Sequence, residues 1–405
     1  MSIFEGKHIL LGVSGSIAAY KAADLASKLT QQGAQVRAIL TPAAEKFITP
    51  LTFSSVTGQP AHSDADLWGG QAHILHVGLA HRADLMLIAP CSANTLASLA
   101  QGRAENLLTI TALALGQKAL CLAPAMDAGM YEHPATRQNV ETLQARGTIF
   151  LGPQSGRMAS GLNGLGRMME AAEILGHLRL ILGRGGKLAG RRLVISAGGS
   201  QEAIDPVRYL TNRSSGKQGY ALAQAALDWG AQVTLISHPT ALSAPIGAEF
   251  VAVRSAEEMR QAVLSAIAGA DALIMAAAVA DFQVKNPASE KLKKRDGLPQ
   301  IELIPAPDIL AEVASRRASL PRLKAVIGFA AESRDLLENA AAKLSAKKLD
   351  FIAANDISAS DAGFSAENNR ITLLFASGER QSLPLMSKFQ AAEAILTQLL
   401  PQLES

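Results

Sequence analysis

The chain has 405 residues, with 38 Lys and Arg against 35 Asp and Glu for a net charge of +3. That balance argues against a nucleic-acid surface, while 48% hydrophobic and 18% charged residues suit well-buried α/β cores. Two cysteines, Cys91 and Cys121, give no disulfide framework. With no signal-peptide pattern and no apolar run near the ~18 residues of a membrane span, a cytoplasmic protein of two ordinary-sized domains is expected.

In chain order, "KHILLGVSGSIAAYKAADLASKL" reads as an apolar strand, a small-residue turn and a helix. Strands are expected near 8–13, 36–40, 85–89 and 119–123. The Gly- and Arg-rich stretch "LGRGGKLAGRR" (182–192) has no apolar period and marks a boundary, giving domains 1–185 and 186–405. The second half opens like the first, with "RRLVISAGGSQ" and then "SSGKQGYALAQAALDWGAQVTLIS". The segments "QQGAQVRAIL" and "DWGAQVTLIS" are near copies, each placing Gly at a helix end before a strand. Further strands are expected near 192–197, 232–237, 271–276, 325–329 and 350–354. A hairpin turning at Ser377-Gly378 and a closing amphipathic helix over "MSKFQAAEAILTQLLPQL" complete the chain. Each half therefore reads as a doubly wound parallel sheet.

The loops after the strands carry the candidate chemistry. In "GVSGSIAAYK", Gly12 and Gly15 allow a tight turn, and Ser14 and Ser16 stand beside helix N-terminal amides. That pattern suits a phosphate, although an ordinary Gly-rich turn explains it as well. NAD is disfavoured, because the full G-x-G-x-x-G pattern and its later acid are missing. Thr41, in "LTPAAEKF", is a helix-cap candidate after the second strand. "IAPCSANTLASLAQG" sets Ser92, Asn94 and Thr95 after the third, and "PAMDAGMY" follows the fourth. Polar loops at several strand ends mark one crevice, suited to a mononucleotide such as a flavin. In the second half, a polar run from Gly198 to Gly216 separates strand from helix and is too long for an ordinary βα loop. Its "NRSSGKQG" again offers amides and hydroxyls to a phosphate, with Arg208 and Arg213 as candidate cations.

The motifs "GVSGSIAAYK", "PCSANT", "PAMDAGMY" and "SGRMASGLNGLGRM" resemble the flavin-dependent cysteine decarboxylase family. "AGGSQEAIDPVRYLTNRSSGKQG", "AAAVADF", "EKLKK" and "ANDIS" resemble the phosphopantothenate–cysteine ligase family. Both in this order, over nearly the whole chain, resemble the bacterial bifunctional coenzyme A family often called Dfp or CoaBC. The resemblance implies two Rossmann-like domains. The N-terminal one is a flavoprotein decarboxylase; the C-terminal one is a nucleotide-binding ligase with a terminal hairpin. It implies FMN, CTP as co-substrate and Mg²⁺, with 4′-phosphopantothenate and L-cysteine as substrates. It also implies an oligomer with a trimeric flavin half and a dimeric ligase half, and no membrane or nucleic-acid partner.

By the same resemblance, Gly15, Ser16, Thr41, Ser92 and Asn94 contact FMN. His73 is the active-site histidine, with His76 and His81 as nearby alternatives; read without the motif, they are helix surface. Asn212 steadies an acyl-cytidylate, although an Asn there also suits a left-handed turn. Asp281, Lys291, Ala306, Pro307, Asp308, Ile309, Phe329, Lys343 and Lys347 fall at nucleotide-binding positions. Without the motif, Lys291 belongs to a solvated charge run and Lys343 and Lys347 to a helix face. The metal ligands are not legible.

Two positions depart from the family pattern. Asp127 stands where the family has Asn, so an ionised carboxylate would repel the substrate carboxylate that an amide would bind. Ser160 stands at the proton-donating cysteine, and an alcohol is a far weaker acid than a thiol. Two outcomes stay open: a working variant that substitutes other groups, or a flavin half with weak or altered activity. Two further readings are an active ligase whose flavin half serves as an assembly scaffold, and a flavoprotein interaction module.

Overall fold

The computed structural model describes residues 2–68, 72–294, 299–332, 335–356 and 366–404. The chain divides into two compact units, Met1–Leu182 and Gly183–Ser405, each taken by itself below.

In the first unit the elements run β1 (His8–Val13), α1 (Ala19–Gln31), β2 (Gln35–Leu40), α2 (Pro50–Thr57), α3 (Ala72–Arg82) and β3 (Leu85–Cys91). They continue as α4 (Ala93–Gln101), α5 (Leu107–Leu113), β4 (Ala119–Pro124), α6 (Ala128–Glu132), α7 (Pro134–Ala145) and β5 (Ile149–Phe150). A hairpin, β6 (Gln154–Arg157) with β7 (Asn163–Arg167), precedes α8 (Ala171–Gly183). The sheet is parallel, in the order β2-β1-β3-β4-β5. Its central strand β3 is buried along its whole length, as expected of a parallel strand covered on both faces. Leu25 and Leu29 of α1 pack on one face, and Leu96 and Leu107 on the other. Truncating a fully buried Leu87 to Ala would cost about 2–5 kcal/mol. α1 ends at Gly33, whose φ of 93° is the left-handed conformation that a helix stop of this kind requires.

The second unit runs β8 (Arg192–Ala197), β9 (Gln201–Ala203), β10 (Tyr209–Thr211), α9 (Lys217–Asp228), β11 (Gln232–Ser237), β12 (Glu249–Ala252) and α10 (Ala256–Ala266). Next come β13 (Ala272–Met275), β14 (Phe282–Val284), β15 (Leu303–Pro305), α11 (Ile309–Arg316), β16 (Ala325–Glu332), α12 (Leu336–Ala346) and β17 (Phe351–Asp356). β18 (Asn368–Asn369), β19 (Ile371–Phe375), β20 (Arg380–Ser382), β21 (Met386–Ser387) and α13 (Lys388–Glu404) close it. The eight-stranded sheet has the order β12-β11-β8-β13-β16-β17-β19-β20. Six strands are parallel and wind outward both ways from the β8/β13 pair, while β19 and β20 add the antiparallel terminal hairpin.

The long strand elements match the sequence reading; the short ones do not. The polar run from Gly198 to Gly216 is no plain loop. It contains β9 and β10, paired antiparallel, and a second short pair is made by β14 and β15. Three-residue strands leave too little alternation to be read from sequence. β6 and β7 escaped notice for another reason: "QSGR" and "NGLGR" are Gly-rich and polar, the composition of a turn.

Candidate active sites

In the first unit, the strand order reverses between β1 and β3, and ligands of such sheets sit outside the carboxyl ends at that point. The loop after β1 passes close to the loop after β2: a Cβ on Gly15 would lie 2.5 Å from Ala43 Cβ. Only a glycine permits that approach. The hydroxyls mostly face inward. Ser14 donates to the Pro90 carbonyl at 2.8 Å and accepts from the Ser92 amide at 2.8 Å. Its expected place beside an anion is therefore corrected; it ties two loops together. Ser92 caps α4 through the Thr95 amide at 3.3 Å. Thr41 accepts from the Ala44 amide at 3.2 Å, the capping role its position suggests. α1 differs: its cap position, Ala18, has no side-chain hydrogen-bond acceptor, and Ser16 only accepts from the Ala18 amide at 3.3 Å. Asn94 is exposed at the start of α4. The loops after β1 and β2 also expose Ile17 and Phe47.

The two unusual positions meet each other. Ser160 lies in the turn of the β6–β7 hairpin and donates to Asp127 Oδ2 at 2.7 Å. Asp127 also caps α6 through the Gly129 amide at 3.1 Å. Gly164 and Gly166 allow the meeting. A Cβ on Gly166 would lie 2.2 Å from the Met126 carbonyl oxygen, and one on Gly164 2.6 Å from Ala128 Cβ. His73 falls on the first turn of α3, and its side chain lies outside the described residues. His76 keeps Nδ1 buried with no hydrogen-bond partner among the described residues; His81 is exposed.

In the second unit, the crevice outside β8 and β13 is a cleft of about 900 Å³. One wall is Asn212–Gly219, entering α9. Gly216 occupies the cap position at φ 74° and offers no side chain. Ser214 and Ser215 reach the first amides only at 3.4 and 3.5 Å. α9 sits hard on β8, where a Cβ on Gly219 would be 2.6 Å from Ala197 Cβ. The second wall is Met275–Asp281. Asn212 spans both: its Nδ2 donates to the Val279 and Ala278 carbonyls at 3.2 and 3.4 Å.

The third wall carries Ala306, Pro307, Asp308, Ile309 and Phe329, with Lys343 and Lys347 above them. Lys343 donates to the Phe329 carbonyl at 2.9 Å, and Lys347 is paired with Asp308. Burial pushes the Asp308 carboxyl up. The bond from Lys347, the Ala311 amide and the charge of Lys343 outweigh that and hold it below the usual range. Asp281 is exposed and lines the cleft; its carbonyl accepts from the Ala306 amide at 2.9 Å.

Two candidate cations stand apart from this cleft. Arg208 is not part of its lining, because it serves buried Asp205 through Nε at 2.9 Å and binds the Leu292 carbonyl at 2.9 Å. Lys291 is exposed and also outside the lining; its neighbour Leu292 is anchored to Asp205 at 3.2 Å. Arg213 does line the cleft. Sequence reasoning missed Lys217, Gln218, Asn355, Asn369 and Lys388, all in the lining. The motif "NRSSGKQG" already contained the first two, and "ANDIS" contained Asn355, although Ile357 and Ser358 lie outside the described residues. Nothing in the spacing points to Asn369 or Lys388. Among the described residues no three His, Cys, Asp or Glu cluster as a metal site. Among the described helices none is long and apolar enough to cross a membrane.

Two such crevices in one chain match known proteins end to end. Residues 3–180 match the Flavoprotein family model, and residues 188–402 match the DNA/pantothenate metabolism flavoprotein C-terminal domain. The coenzyme A biosynthesis bifunctional protein CoaBC of Bacillus subtilis is 42% identical over 98% of this chain and 97% of its own. The chain belongs to the CoaBC family. The same-named protein of Mycobacterium tuberculosis is 42% identical over 96% of this chain and 95% of its own. A crystal structure of the C-terminal domain of a CoaBC protein, 38% identical, covers 54% of this chain and 99% of its own at a TM-score of 0.46. As a CoaBC-family member, the chain is a bifunctional enzyme of coenzyme A biosynthesis, with a flavoprotein decarboxylase half and a ligase half. Likeness along the full length does not favour the scaffold or interaction-module readings.

Proposed function

We propose that the second unit joins 4′-phosphopantothenate to L-cysteine using CTP, and that the first unit, with FMN, decarboxylates the product to 4′-phosphopantetheine. The observation that carries this is the C-terminal cleft. It sets an open helix N-terminus, suited to phosphate, opposite Lys343, Lys347 and Asp308. In the ligase step, the substrate carboxylate attacks the α-phosphorus of CTP and pyrophosphate leaves. The cysteine amine then opens the acyl-cytidylate, releasing CMP and forming the amide. Asn212 lies between the two strand-end loops, where its amide can turn from the Ala278 and Val279 carbonyls to the charge that develops on the mixed anhydride. Mg²⁺ is held mainly by substrate phosphates with one or two carboxylates, and Asp281 in the cleft lining can supply one. Lys291 closes over the nucleotide from the segment anchored at Leu292.

The first unit fits FMN through the open N-terminus of α1, exposed Asn94, and the apolar Ile17 and Phe47. When bound, FMN supplies the two-electron oxidation that makes loss of carbon dioxide easy and the reduction that completes the product. Around it, Gly15, Ser16, Thr41 and Ser92 hold the two loops at the required distance. His73 orients the substrate, and Ser160 with Asp127 governs the closing proton transfer. The domain limits 1–185 and 186–405, the trimeric flavin half and the dimeric ligase half complete the proposal.

The test supplies 4′-phosphopantothenate, L-cysteine and CTP to the purified chain and follows pyrophosphate and carbon dioxide separately. Pyrophosphate release that needs 4′-phosphopantothenate and CTP, and that continues beyond one equivalent per site only with L-cysteine, is expected, from a preparation showing flavin absorption bands. No pyrophosphate, or no flavin bands after added FMN, would remove the corresponding half of the reading.

A further inference from the structure

At one end of the C-terminal cleft, three segments far apart in sequence close a ring of hydrogen bonds. Lys388, the first residue of α13, donates from Nζ to Asn369 Oδ1 at 2.6 Å. Asn369 Nδ2 donates to Gln218 Oε1 at 2.7 Å. Gln218 Nε2 donates back to the Lys388 carbonyl at 3.2 Å. Lys388 is only 6% exposed, yet it lines the cleft beside Lys217 and the N-terminal turn of α9. Lys217 pairs with Glu367 at 2.5 Å, and the Glu367 side chain is 82% exposed.

Two ammonium groups and the first amides of α9 thus converge beside Glu367, whose exposed carboxylate water largely screens. Burial brings the Lys388 amine down to about 8, and the like charge of Lys217 pushes the same way, against Glu367. Burying an ammonium is costly, and an anion seated in the cleft would offset that cost. A second buried polar group sits in the same lining: Asn355, in β17, has no hydrogen-bond partner for its side-chain oxygen among the described residues. Lys388 and Asn369 lie in none of the motifs that carry the ligase resemblance.

We infer that Lys388 is a positioning residue of the ligase reaction: it sets a positive charge beneath a substrate phosphate group at the N-terminus of α9, held in register by Asn369 and Gln218. The inference rests on the ligase reading above. Two substrates carry such a group, the nucleoside triphosphate and 4′-phosphopantothenate. Both present phosphate oxygens to which an ammonium and helix amides donate. The closed ring matters because a long lysine chain otherwise samples many rotamers; three bonds fix where its charge is felt.

The test uses Lys388→Gln, which removes the charge while keeping an amide near Asn369, and Lys388→Arg, which keeps the charge. Ligation by the full chain is measured with each of the three substrates varied in turn. Lys388→Gln should raise KM for one phosphate-bearing substrate at least about tenfold, the scale of one charge-assisted hydrogen bond. KM for cysteine, thermal stability and flavin binding should stay near native, and Lys388→Arg should recover most of the loss. A rise confined to CTP assigns the triphosphate; a rise confined to 4′-phosphopantothenate assigns the phosphomonoester. Unchanged KM for both would overturn the inference. So would a parallel loss of cysteine affinity and stability that Arg does not rescue. Calorimetric binding of inorganic tripolyphosphate and of 4′-phosphopantothenate gives a readout independent of turnover. Weaker binding of either to Lys388→Gln supports the role even in a chain that forms no product, an outcome that would refute only the ligase reading. Equal binding of both by native and variant chains overturns it.

Discussion

After β1 the first unit turns into α1 through Ser14–Ala18, whereas after β8 the second runs out through β9 and β10 before α9 begins. The first unit spends most of its loop hydroxyls on itself: Ser14 on Pro90 and Ser92, Ser92 on Thr95, Thr41 on Ala44. What it leaves for a ligand is mainly backbone amide and shape. The long route returns Ser214, Ser215 and Gly216 to the equivalent place and also lays Asn212 across to the β13 loop. Segments as distant as α12, β17 and α13 then complete the cleft. On the proposed function, one unit would recognise its ligand mainly through its main chain and the other more through projecting side chains. Single side-chain changes should hurt the second unit more, except where the first unit's chemistry itself rests on side chains.

The strongest way to break that comparison is Asn212→Ala. Removing one donor aimed at developing charge lowers turnover by about 10²–10³-fold, and a loss of that size in the rate of amide formation at saturating substrates is expected. Flavin absorbance should not change, since Asn212 belongs to the second unit and the FMN positions proposed above belong to the first. A rate close to native would reduce Asn212 to a tether for the Ala278 and Val279 carbonyls.

The unequal legibility of the sequence follows the same division. Strands such as Leu85–Cys91 and Arg192–Ala197 were readable because burial on both faces demands a continuous apolar run. The crevices were readable because a strand, a small-residue turn and a helix lie adjacent in the chain. The β9–β10 arm was not, since Gln201–Ala203 and Tyr209–Thr211 carry too few residues to show a period. Arg208 looked like a ligand cation because charge is visible in sequence and its buried partner Asp205 is not. Lys388 was hidden for the converse reason. It begins an ordinary amphipathic helix, and only the fold brings it to α9. Nor did anything in the spacing indicate that Asp127 and Ser160 would touch.

That contact sharpens the comparison from the other side. Ser160 donates a hydrogen bond to Asp127 Oδ2, so the hydroxyl proposed to stand at the proton-donor position is held by a carboxylate. An alcohol is already a poor acid beside a thiol near 8.5, and a neighbouring anion makes it poorer. The native protein should decarboxylate 4′-phosphopantothenoylcysteine slowly and stall before the last reduction, with the ene-thiol accumulating and the flavin left reduced. Ser160→Cys should raise complete turnover by about tenfold or more, toward the usual contribution of a general acid. Adding Asp127→Asn should raise it again by relieving repulsion of the substrate carboxylate. Mass spectrometry of the products reads both effects. Full native turnover that survives Ser160→Ala would show another group donating the proton.

The smallest effect concerns the arm that only the second unit has. Asp205 is buried in its turn and accepts from the Val207 and Arg208 amides at 2.8 Å each, from Arg208 Nε at 2.9 Å, and from the Leu292 amide at 3.2 Å. The Arg208 guanidinium and these amides outweigh burial and hold its carboxyl far below the usual carboxylate range. In the unfolded chain the same group titrates near 4, so the unfolded state binds the proton first as pH falls. The contribution to stability is therefore complete above about pH 4 and is lost below it, toward the depressed folded value. Asp205→Asn should accelerate hydrogen exchange across β9, β10 and the Leu292 segment at neutral pH, and the gap from native should narrow as the pH is taken below 4. Because Leu292 neighbours Lys291, the same variant should raise KM for CTP modestly with kcat little changed. Exchange rates that differ equally at every pH would trace the arm's order to packing, and the ion pair with Arg208 would then be incidental.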